Sequence, residues 1–181
     1  MAAAVPGGDA LAQSLAAEGF AGLDFGFGSL PLVSLDQGAF KTSDGATLGV
    51  EFWALLKQSR PKFLFKTALA DNDPRSALVY SYDGLADVKG ESIQAKLEAW
   101  ARQGISYEKK QYLEVVAQLA NQATVLLSIP PTSVRRLSGV LANIRSRGGA
   151  IDQTWVRVHI GPKVTNVPKP FSPWGFSLQE V

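Results

Sequence analysis

From Leu30 onward, glycine, proline, asparagine and aspartate cut the chain into short apolar stretches, most of them alternating with period two, and that rhythm constrains the fold more than any other feature. A period of two places successive side chains on opposite faces of a strand, and turn residues at each break favour antiparallel connections. Residues 30–35 read as a first strand, followed by the turn-rich Asp36-Gln37-Gly38 and Ser43-Asp44-Gly45. Residues 48–57, 61–69 and 76–82 read as three more, with Asn72-Asp73-Pro74 and Asp83-Gly84 as breaks. Residues 109–119, 123–129, 153–160 and 171–179 continue the series.

Two stretches change to helical spacing. Residues 91–102 place Ile93, Leu97, Trp100 and Ala101 on one face, with Ser92 as N-cap and Gly104 as the stop. After Pro130-Pro131, Thr132 or Ser133 caps a helix to about Ser146, with Val134, Leu137, Leu141 and Ile144 as its apolar stripe and Gly148-Gly149 beyond its end. About eight strands and two helices predict a mainly β, α+β fold, and closure into a barrel removes exposed sheet edges. The small barrel with a helix between strands is the OB-fold, so the expected architecture is an OB-like antiparallel β-barrel elaborated by hairpins. Residues 1–29, rich in Ala and Gly, read as a mobile arm, and residues 30–181 as the domain. Within the arm, Asp9 is placed to cap a short helix to Ala17. Phe20, Leu23, Phe25 and Phe27 are too apolar for an ideal tail, and either dock on a neighbouring subunit or pack back on their own domain.

Charge is distributed unevenly. Residues 1–108 carry nine Lys+Arg against thirteen Asp+Glu, a net of −4, while residues 109–181 carry nine against three, a net of +6. The overall +2 therefore conceals a basic region suited to a polyanion. With no Cys and one His, disulfide frameworks, thiol nucleophiles and two-His metal sites are excluded, and no phosphate-binding or nucleophile-elbow motif is present. Asp71, Asp73, Asp83 and Asp87 fall in turns, where capping is the ordinary role of Asp. The expectation is a non-catalytic protein with no cofactor and no metal. No run of about 18 apolar residues occurs and no basic segment precedes an apolar one near the start, so an intracellular protein with no membrane partner is expected.

Cations and aromatics interleave on several strands. Alternation puts Trp155, Arg157 and His159 on one face while Val156, Val158 and Ile160 claim the core. That mixture suits a single strand, whose bases stack on flat rings while phosphates meet positive charge. Phe63 and Phe65 point one way and Lys62, Leu64 and Lys66 the other, and Tyr80 shares a face with Tyr82. Trp53, between Glu51 and Leu55, reads as core. Arg135 and Arg136 fall in the first turn of the second helix, where the dipole welcomes an anion. Lys109 and Lys110 open a strand, and Lys163 and Lys169 lie in a Gly/Pro-rich connection.

The stretch Tyr112-Leu113-Glu114-Val115-Val116, the strand at 123–129, Pro131-Thr132-Ser133-Val134-Arg135-Arg136-Leu137-Ser138-Gly139, Trp155 and Phe171-Ser172-Pro173-Trp174-Gly175-Phe176 together resemble, in layout, the OB-fold single-stranded DNA-binding proteins of bacteriophages and mobile elements. The resemblance spans roughly residues 30–180. It implies single-stranded DNA binding in replication or recombination within a bacterial host's cytoplasm, little sequence preference, and a homo-oligomer; RNA stays open as the partner. Bacterial relatives often end in an acidic tail, whereas this chain ends Gly175-Phe176-Ser177-Leu178-Gln179-Glu180-Val181. Two other classes stand beside this reading. One is a structural or assembly protein, such as a viral particle component, with residues 1–28 as a docking arm; the other is a metal-dependent nuclease using the Asp cluster.

Overall fold

The computed structural model describes residues 27–179. In chain order the elements are a 3-10 turn (Phe27–Ser29), β1 (Leu32–Asp36), β2 (Ala39–Thr42), β3 (Thr47–Gly49), β4 (Glu51–Thr67), β5 (Leu78–Ser81), α1 (Ile93–Arg102), β6 (Tyr107–Leu119), β7 (Thr124–Ile129), α2 (Pro131–Ser146), a 3-10 turn (Ile151–Gln153), β8 (Val156–Ile160) and β9 (Trp174–Leu178). The protein is mainly β with two helices. The chain divides into a larger unit, up to Ser59 and from Leu113 onward, and a smaller one, Arg60–Tyr112. The helix expected near Asp9 and most of the 1–29 arm lie outside the described residues.

The larger unit is built on the strand order β3-β2-β1-β7-β6-β4-β8-β9, a curled half-barrel. Its pairings include one parallel junction, Leu32 with Leu126 and Val33 with Leu127, so the sheet is mixed rather than wholly antiparallel. A parallel neighbour needs a long crossover, here the chain between β1 and β7, and local turn signals do not reveal it. Gln37 and Gly38, with φ of 49° and 78°, form the two-residue turn joining β1 to β2, where φ > 0 at both positions matches strand twist. That hairpin turns residues 39–42, expected as connection, into a strand.

Alternate residues of the sheet fill one core. Ala54 and Leu56 of β4, Val115 and Ala117 of β6, Leu127 of β7 and Val156 and Val158 of β8 are buried with Leu137, Leu141 and Ile144 of α2. Phe40 packs edge-on against Phe52 and Trp174, with centroids 5.2 and 4.9 Å away. The helix begins one turn earlier than its hydroxyls suggest: Pro130 is the N-cap and Pro131 the first helical residue, where a missing N–H costs nothing. Ser133 is instead buried and its Oγ accepts the Trp174 N–H at 2.9 Å, tying α2 to β9. On the other sheet face Phe27 is buried against Val116 and Leu126, so this aromatic packs on its own unit.

The smaller unit is a β4–β5 hairpin with α1 and the start of β6. Phe63 opposes Ser81, Leu64 opposes Tyr80 and Phe65 opposes Val79. Phe65, Ile93 and Ile105 are its buried apolar centre, with Thr67 and Ser81 buried beside them. The Ser92 hydroxyl caps α1 by accepting the Ala95 N–H, as its position before the apolar stripe predicts. The two strands expected at 48–57 and 61–69 are joined in the single strand β4, Glu51–Thr67, while residues 48 and 49 fall in β3. The residue before a proline is biased to extended backbone, so Arg60-Pro61 continues the strand instead of breaking it.

Candidate nucleic-acid interface

In the smaller unit the even-numbered residues of β4 share a face with Tyr80, because Tyr80 opposes Leu64. The Arg60 guanidinium lies 3.7 Å from the centroid of Tyr82, and the Lys62 ammonium 4.7 Å from that of Tyr80. Two consecutive cation–ring pairs thus form a ladder on one hairpin face, each attracted by the negative face of the ring. Leu78, on the same face, is 47% exposed. Lys66 continues the row but meets Asp71 at 2.8 Å, and hydrogen bonding to that carboxylate raises its pKa. Phe63 and Phe65 face the other way, as their phase requires, and lie 4.8 and 5.6 Å from the Lys109 ammonium. Lys110 pairs with Glu108 at 3.6 Å. Arg60 carries no functional reading from sequence, because the strand expected at 61–69 begins after it.

In the larger unit Val156 and Val158 are fully buried, leaving Arg157 and His159 on the opposite face of β8. Trp155, just ahead of β8, is half-buried in a groove of about 300 Å³ with Ile144, Arg147, Thr154 and Leu178. Register places Trp53 opposite Arg157 and Glu51 opposite His159. The expectation that Trp53 is core is therefore corrected: Ala54 and Leu56 take the core, and Trp53 stands on the Arg157 face, half-buried. Both phases of residues 52–56 are apolar, and only the flanking Glu51 and Lys57, in the phase of Trp53, mark the outward one. Arg157 is engaged by Glu51, its Nε donating to the carboxylate at 3.0 Å. The His159 ring occupies the space above Gly175, where a Cβ would fall 2.2 Å from the imidazole.

Arg135 and Arg136 are exposed, but because α2 begins at Pro131 they fall in its second turn, past the first-turn N–H groups that would receive an anion, and not in the first turn as expected. The Arg136 Nη1 lies 3.3 Å from where a Cβ on residue 161 would stand, so the helix start borders the connection carrying the exposed Lys163 and Lys169. The four Asp residues are not gathered. Asp83 accepts the Leu85 and Ala86 N–H groups and the Ser81 hydroxyl, and Asp87 accepts those of Lys89 and Glu91. Asp73 is held by the side chain and N–H of Arg75, lowering its pKa to about 2. Backbone donors likewise pull Asp83 and Asp87 below the usual carboxylate value. Among the described residues, no three His, Asp or Glu side chains converge as a metal site. Nor is any helix among them long and apolar enough to cross a membrane.

No protein-family model, curated protein or solved structure matches this chain.

Proposed function

We propose that the protein binds single-stranded nucleic acid without catalysing a reaction on it, protecting or organising single strands in replication or recombination inside a bacterial cell. The observation that carries the reading is the ladder of Arg60 on Tyr82 and Lys62 on Tyr80. A base stacks on a tyrosine face or on a guanidinium already held flat against a ring, and phosphates meet the adjoining charge. Single strands fit better than a duplex, whose bases are stacked away from such a platform. Arg135, Arg136 and Lys163 add exposed cations in the larger unit. Lys66 and Arg157 are in ion pairs with side chains 41–86% exposed, and such pairs are worth only about 0–1 kcal/mol, so a phosphate can replace either carboxylate cheaply.

The test is fluorescence anisotropy of labelled single- and double-stranded oligonucleotides across a salt series. If about four phosphates are engaged, log affinity for single strands falls against log salt with a slope near −3. Absent binding at low salt, salt-independent binding, or a preference for duplex overturns the reading.

A further inference from the structure

The smaller unit holds a cleft of about 420 Å³ on the side of its hairpin turned away from the tyrosine ladder. Phe65, Ile93 and Leu97 are apolar walls, and Tyr107 stands with its ring centroid 6.2 Å from that of Phe65. Lys109 also lines the cleft, and its ammonium is within ion-pair distance of no carboxylate among the described residues. The nearby acids are engaged otherwise: Asp83 by turn donors, and Asp87 and Glu91 by Lys96. An aromatic-walled space with a single cation beside it matches a flat ring carrying one anionic group, and its volume is at the small end of ligand sites.

From these features we infer that the cleft receives one unstacked nucleotide of the bound strand, its base against the exposed ring of Tyr107 and its phosphate at Lys109. The inference rests on the proposed single-strand binding. Chain geometry supplies the path. Tyr82 ends the ladder and Gly84 lines the cleft, so at most about 7 Å of backbone separates them. Gly84 lies against Phe63, with a Cβ position 3.6 Å from that ring. A strand leaving the ladder at Tyr82 therefore reaches the cleft mouth by rounding the β5 edge of the hairpin. Turning a base into a pocket is least costly when the strand is already single.

The full chain is bound to oligonucleotides carrying 5-iodouracil at one position at a time, irradiated, and its adducts mapped by mass spectrometry. The expected result is one oligonucleotide position that crosslinks to Tyr107 while its neighbours crosslink to Tyr80 or Tyr82. Leu97→Trp, which fills the cleft from its wall, removes the Tyr107 adduct and weakens affinity about five- to tenfold, the lower end of what one lost base stack costs. Lys109→Ala, at an exposed position, also reduces that adduct and makes the salt slope shallower by about 0.7. Binding with adducts confined to the ladder, or a cleft adduct unchanged in both variants, overturns the inference and leaves single-strand binding standing. No binding to any oligonucleotide removes both.

Discussion

Strand β8 and the Arg60–Thr67 part of β4 carry similar patterns, an aromatic within two residues of a cation, yet their cations have different partners. On β8, Arg157 meets the Glu51 carboxylate and His159 rests above Gly175. On the smaller unit's hairpin, Arg60 and Lys62 lie on tyrosine rings. A cation on a carboxylate is partly neutralised, whereas a cation over a ring has a flat aromatic surface beside it. The second arrangement is the better platform for a single strand, and the first behaves as a cross-strand fastening.

The most forceful way to break this contrast is to remove both platform rings. Tyr80→Ala with Tyr82→Ala is expected to lower single-strand affinity by about 30-fold or more, two base stacks at about 1–3 kcal/mol each, measured under conditions where the urea midpoint shows the variant folded. Affinity within a factor of two of the parent would erase the distinction. Gly175→Ala probes the fastening. Its Cβ would overlap the His159 ring, so unfolding free energy is expected to drop by about 1–3 kcal/mol while affinity holds, measured by urea titration and anisotropy.

A subtler change converts one face toward the other. Glu51→Gln frees Arg157 beside Trp53 at a stability cost under about 1 kcal/mol, and steepens the single-strand salt slope by about 0.7. An unaltered slope would mean that β8 does not meet the strand. The smallest effect is acid loosening of the smaller unit. Asp73, Asp83 and Asp87 have pKa values depressed in the folded state, so their contribution is complete above the ordinary carboxylate value and is lost as pH falls through the folded values, about 2 for Asp73. Amide NMR shifts of Leu85, Ala86, Lys89 and Glu91 should move together only below the ordinary carboxylate value if these turns depend on the carboxylates.

Much of the fold was legible from local pattern. Val156 and Val158 declared the core phase of β8, Ser92 declared the start of α1, and Leu137, Leu141 and Ile144 declared the buried stripe of α2. The Phe63 and Phe65 phase was also readable, because charged neighbours marked the opposite face. Trp53 was misread although Glu51 shares its face, because Leu55 lies in the same phase and a large ring favours burial, and Arg60 was hidden by the proline expected to begin a new strand.

By itself the sequence determined the mainly β class and the two helices, since each follows from periodicities of two or 3.6 within a short window. Only the tertiary structure decided that Arg157 meets a carboxylate 106 residues away while Arg60 meets Tyr82, and that β1 lies parallel to β7. Cross-strand register makes those choices, and register is fixed by which distant strands bury their apolar faces together.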